Sequence, residues 1–128
     1  MRLDLGSDLD LAEAVSNGLP TTAVDSAVKG GIIAQEDVYR LVVPKRTLQR
    51  RRDGSGRLSS DESNTLMRIV RAIARAEIAL DDPEKAERWI RQPNRALRGK
   101  RPLDLLTSDM GARAVEKVLG RIEHGVYS

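Results

Sequence analysis

The chain has 128 residues, 40% hydrophobic and 32% charged, which suits one compact core or two small ones and excludes both a disordered polyelectrolyte and a membrane-embedded chain. Aromatics make up 2%, with no phenylalanine, no cysteine and a single histidine, His124; disulfides, thiolate zinc sites, cysteine nucleophiles and multi-histidine metal centres are therefore excluded together. The net charge of +3 is uneven: residues 40–57 hold seven basic side chains against one acidic, a net +6, so the remainder sums to −3, and such a cluster points to an anionic partner.

The periodicity is helical throughout. Asp10 three residues before Glu13, with Ala12, Val15 and the stop Asn17-Gly18, predicts a first short helix. Thr22 and Asp25 open a second, with Val24, Ala27 and Val28 as its apolar stripe and Gly30-Gly31 as its end. Ala34 to Asp37 start a third, whose Val38, Leu41 and Val42 are spaced to face inward. Pro44 interrupts and opens a fourth helix, Lys45 to Arg52, which Asp53-Gly54-Ser55-Gly56 stops.

The Ser59 and Glu62 spacing predicts a capping box, followed by the longest helix, with Leu66, Ile69, Val70, Ile73 and Leu80 on its apolar face and Arg68, Arg71 and Arg75 on a solvated one. Asp82-Pro83 reads as an N-cap followed by proline at the first helical position, with Ala86, Trp89 and Ile90 facing the core. Asn94 to Pro102 is basic and irregular, and Leu103, Leu105 and Leu106 form an apolar anchor after it. Thr107-Ser108-Asp109 then caps a last helix carrying Val115, Val118, Leu119 and Ile122, which ends at Gly125. No stretch alternates apolar and polar residues as a strand would, so the expected class is all-α. A division falls near residues 54–60 or near 81. The first choice gives a helix-turn-helix bundle over 1–58 and a long helix with a small helical domain over 59–128. The opening MRLDLGSDLD lacks a basic region followed by an apolar run, and no run reaches membrane-spanning length; no membrane association and a cytoplasmic location are expected.

Chemistry points to binding rather than catalysis. His124 sits in the last turn of a helix, where a cation suits the helix dipole, with no nucleophile beside it. Asp81-Asp82 and Asp8-Leu9-Asp10 fall where caps are expected, and the glycine pairs lack phosphate-loop spacing. No active site, metal or cofactor is expected. By contrast, a short apolar-faced helix, a break at Val42-Val43-Pro44 and the basic helix after it match a helix-turn-helix. Leu48 is the buried anchor, and Lys45, Arg46, Thr47, Gln49, Arg50 and Arg51 are candidates for DNA contact. Tyr127 lies beyond a helix stop, with no intramolecular reason to be aromatic.

Several blocks together carry a resemblance: Arg46-Thr47-Leu48-Gln49-Arg50-Arg51; Leu58-Ser59 with Glu62-Ser63; Trp89-Ile90 with Pro93-Asn94-Arg95-Ala96-Leu97; Pro102-Leu103-Asp104-Leu105-Leu106; and Gly111, Val115-Glu116 and Leu119 to Ser128. In order and spacing they closely resemble the Xre/MbcA/ParS antitoxin family, over all but about the first thirty residues. The resemblance implies a non-enzymatic type II antitoxin whose Xre-like helix-turn-helix bundle is followed by a small toxin-binding domain. It further implies a RES-domain toxin partner that consumes NAD or uses it for ADP-ribosylation, with the antitoxin obstructing the toxin's active site. Promoter binding for autoregulation and a homodimer within a larger toxin–antitoxin complex are implied as well. The toxin-contacting residues it points to are Arg121, Glu123, His124, Gly125, Val126, Tyr127 and Ser128. Two departures stand out: Arg98 replaces a frequent glycine, and Val42-Val43 replace a glycine-containing turn. The alternative is a stand-alone helix-turn-helix transcriptional regulator, which an adjacent gene for a RES-type partner would argue against.

Overall fold

A computed structural model describes residues 8–125. Eight α-helices and no strand occur among the described residues: α1 Asp8–Ser16, α2 Thr22–Lys29, α3 Gln35–Asp37, α4 Lys45–Asp53, α5 Ser60–Leu80, α6 Pro83–Arg91, α7 Pro102–Leu105 and α8 Asp109–Glu123. They form two compact units that divide between Met67 and Arg68, within α5. No described helix is long and apolar enough to cross a membrane.

In the first unit the core is aliphatic: Val15, Leu19, Val24, Ile33, Val38, Val43, Leu48, Leu58 and Leu66 are all buried. Its two loops clasp each other, the Leu58 amide donating to the Leu19 carbonyl (2.8 Å) and the Thr21 amide to the Gly56 carbonyl (2.9 Å). Ser63, fully buried on α5, accepts a hydrogen bond from the Leu19 amide at 2.8 Å, satisfying a backbone donor that the core would otherwise strand.

The third helical element differs from the expected stripe. After α3 the backbone widens into a π turn, Val38–Val42, closed by the Val43 amide on the Val38 carbonyl at 3.0 Å. The extra residue in the turn rotates the phase, so Val43 is fully buried in place of Leu41 and Val42, which are half-buried.

The second unit buries Ile69, Ala72 and Ala76 of α5, Ala86 and Ile90 of α6, Leu97, Leu103, Leu106, and Val115, Val118 and Leu119 of α8. The small side chains Ala72 and Ala76 occupy the centre of the α5 stripe, and Val70, Ile73 and Leu80 lie half-buried at its edges. Trp89, expected in the core, is also only half-buried: Ala86 and Ile90, four residues apart, form the inner line, and position 89 sits beside it. The caps form as the sequence predicts. Asp82 accepts from the Glu84 amide (2.9 Å), and Ser108 accepts from the Gly111 amide (3.1 Å).

Arg68, expected on a solvated face, instead donates to the Leu106 and Thr107 carbonyls (3.0 and 3.1 Å) and to Asp109 Oδ1 (3.1 Å). Those carbonyls close the end of α7, where helix geometry leaves acceptors unfilled. Arg71 is exposed. The Arg75 Nη2 approaches Glu123 Oε2 at 3.6 Å.

Candidate functional site

The basic helix α4 starts from a turn made without glycine. Val43 is extended (φ −153°, ψ 127°) and Pro44 takes φ −59°, ψ 150°. Neither enters the left-handed region, so the β-branched pair meets the turn's demands and a glycine is not needed there. Pro44 precedes the first helical residue and its carbonyl accepts from the Leu48 amide at 2.9 Å. Leu48, 1% exposed, anchors the helix from below.

Around that anchor Lys45, Arg46 and Arg50 are exposed, with no ion pair or side-chain hydrogen bond among the described residues. Thr47 is half-buried, and Gln49 is exposed with its Nε2 donating to Asp53 Oδ1 at 3.1 Å. Arg52 pairs with Asp25 of α2 at 2.6 Å. Arg51 differs from its neighbours: its Nε and Nη2 grip both oxygens of Glu62 at 3.0 and 3.1 Å, a fork geometry that fixes α4 to the start of α5.

Glu62 also completes the capping box, accepting from the Ser59 amide at 2.8 Å while its own amide donates to Ser59 Oγ at 3.1 Å. Burial alone would raise the Glu62 carboxyl's pKa, but hydrogen bonds from Arg51 and from the Ser59 backbone outweigh it and hold the group below the ordinary glutamate value; the same pairing holds Arg51 charged. A depressed folded-state pKa contributes stability above the unfolded value, lost as pH falls through the folded one. Glu62→Gln is therefore expected to cost about 1–2 kcal/mol at neutral pH, a difference from wild type that shrinks as acid protonates Glu62. Urea unfolding of both proteins across the acid range checks this; a gap independent of pH would contradict it.

At the other end of the chain, α8 runs out at an exposed surface. Arg121, Glu123, His124 and Gly125 are all exposed, and Gly125 takes φ +71° after its amide bonds the Ile122 carbonyl at 3.1 Å, a left-handed helix end that suits glycine. Glu123 is steadied by Arg75, whose Nη2 lies 3.6 Å from its Oε2. Val126, Tyr127 and Ser128 lie outside the described residues.

Sequence reading misses Ser63, Arg68 and the Arg51–Glu62 fork. The partners of Ser63 and Arg68 lie 44 and at least 38 residues away, which no local periodicity reveals. The fork has one available signal, a buried-side arginine in a basic helix near a capping-box glutamate.

The two units correspond to two known protein families in turn. Residues 10–71 match the antitoxin Xre-like helix-turn-helix domain, and residues 75–125 match the antitoxin Xre/MbcA/ParS C-terminal toxin-binding domain. An "Antitoxin Xre" of Photorhabdus laumondii is 34% identical over 116 residues, covering 89% of this chain and 78% of the relative. Another of Yersinia enterocolitica is 32% identical over 120 residues, covering 92% and 81%. A "Prs ADP-ribosylating antitoxin" of a Sphingobium species is 28% identical over 80 residues, covering 56% of this chain and 50% of that protein. With both domains matched in turn along an all-helical chain, and Xre antitoxins alike over most of their length, this chain belongs to the Xre/MbcA/ParS family of type II antitoxins, which regulate without catalysing a reaction.

Proposed function

We propose that the chain neutralises a RES-domain toxin that consumes NAD or uses it to ADP-ribosylate a target, by covering the entrance to the toxin's active site, and that it also represses its own operon by binding promoter DNA. The match of residues 75–125 to a toxin-binding domain carries the first half; the relative named for a Prs ADP-ribosylating system supports NAD-linked chemistry in the partner. The contact surface is the exposed end of α8, Arg121, Glu123, His124 and Gly125, continuing into Val126, Tyr127 and Ser128. A basic, arginine-lined dinucleotide pocket is complementary to Glu123 and to a tyrosine ring that can stack.

DNA contact falls to Lys45, Arg46, Thr47, Gln49 and Arg50 on α4, with Arg51 holding the helix in place through Glu62. A homodimer would present two such helices to a palindromic operator. A toxin and a promoter as partners imply a cytoplasmic location. In an Arg46→Ala, Arg50→Ala double variant, promoter affinity should fall and the slope of log affinity against log salt should become shallower by about 0.9 for each phosphate no longer neutralised. Toxin capture and thermal unfolding should stay as in wild type. An unchanged promoter complex would remove α4 from the DNA interface.

A further inference from the structure

Residues 85–101 hold seven basic side chains against one acidic, a net +6, the same excess as the helix-turn-helix segment and in the half of the chain matched to toxin binding. Within it Arg91 faces Glu87 at 3.7 Å and Arg101 pairs with Asp104 at 2.8 Å. Arg95, Arg98 and Lys100 are instead exposed, with no ion pair or side-chain hydrogen bond among the described residues.

These three cations ride on one closed loop. The Asn94 amide donates to the Lys100 carbonyl (3.1 Å), the Leu97 and Gly99 amides both donate to the Asn94 carbonyl (3.0 and 2.8 Å), and the Lys100 amide donates to the Leu97 carbonyl (3.2 Å). Asn94 Oδ1 takes the Ala96 amide at 2.9 Å, and Leu97 is buried as the loop's anchor. The loop backbone is thus closed on itself by its own hydrogen bonds. Arg98 has φ +59°, where a residue with a Cβ is strained and glycine is not; an arginine here gives up local stability for an outward positive charge.

We propose that loop 94–100 is a second nucleic-acid contact, in which Arg95, Arg98 and Lys100 grip backbone phosphates of duplex DNA. This rests on the reading that the chain binds promoter DNA. Protein interfaces draw their affinity from a desolvated aromatic or aliphatic centre. The exposed large hydrophobic residues among the described ones, Leu9, Ile32, Ile78 and Met110, all lie outside this loop. A surface that offers exposed charge and no large exposed hydrophobic residue suits a polyanion, where counterion release supplies the affinity.

The test uses the full chain with Arg98→Gly and Lys100→Ala combined. Glycine relieves the left-handed strain, so the unfolding midpoint should hold or rise. Promoter-duplex affinity measured by fluorescence anisotropy across a salt series should fall, with a log–log slope shallower by about 1.8 for two phosphates no longer neutralised. Arg50→Ala runs beside it. If Arg50→Ala weakens binding and the loop variant leaves both affinity and slope unchanged, the loop is not a DNA contact while the promoter reading stands. If the wild type fails to bind the duplex at any salt concentration, both fail. Weakened toxin affinity with unchanged DNA binding would make the loop a protein-docking surface and overturn the proposal.

Discussion

Gly111→Ala is expected to destabilise the second unit by about 3 kcal/mol or more and to abolish toxin capture. Gly111 is the third residue of α8, its amide bonded to Ser108 Oγ at 3.1 Å. A Cβ there would fall on the Leu105 carbonyl oxygen, with the Leu105 carbonyl carbon only 2.9 Å away. The obstructing atom is backbone and cannot swing aside. It belongs to the four-residue α7, whose Leu103 and neighbouring Leu106 are buried at 1% and 0% exposure, so relieving the clash means pulling core leucines out of register. Overpacking a rigid site costs about 1–3 kcal/mol, and the disturbed leucine packing adds to it. A single core of about 60 residues supplies only about 3–5 kcal/mol in all. Circular dichroism melts together with toxin pull-down read the outcome, and a variant that melts like wild type would show that α7 yields without cost.

The mirror experiment is Gly18→Ala in the first unit. Gly18 has φ +87°, and an added Cβ would press on the Leu58 carbonyl oxygen. Left-handed backbone costs a side-chain-bearing residue about 1–2 kcal/mol, and the clash adds about 1–3. Its surroundings are the loop clasp, with Leu58 bonded to Leu19 and Arg57 Nη1 donating to the Gly18 carbonyl at 3.0 Å. The clasp frames the helix-turn-helix, so promoter binding should disappear with the fold of this unit. Fluorescence anisotropy on the promoter duplex and a chemical melt check it; promoter affinity equal to wild type would contradict it.

What sequence makes legible is local. Ser59 with Glu62, Asp82 before Pro83, Ser108 before α8 and Leu48 within α4 all signal through neighbours within four residues, and each is found where the spacing puts it. What it hides is set by partners far along the chain or by a change of helical pitch. The π turn at Val38–Val42 exchanges Val43 for Leu41 and Val42 in the core, and a 3.6-residue template cannot register that. Trp89 escapes the core because a stripe gives a face but not its width. Arg68 looks like one of a solvated row and is instead the partner of the carbonyls at the end of α7. For the candidate DNA surface the residue types are legible while their division of labour is not: Arg50 and Arg51 are adjacent in sequence, yet one is exposed with no side-chain partner among the described residues and the other forks onto Glu62.

The proposal that this antitoxin silences an NAD-consuming RES toxin by closing its active site is open to direct measurement. The measurement follows NAD loss by a purified RES-domain toxin that the chain captures, titrated with the full chain and with a chain lacking Gly125 to Ser128. Truncation removes no buried residue of the α8 stripe, Val115, Val118 and Leu119, so binding through the helices should survive. The full chain should stop NAD loss at a fixed molar ratio, and the truncated chain should bind yet leave much of the activity. NAD consumption that continues undiminished when the toxin is saturated with full-length chain would contradict it.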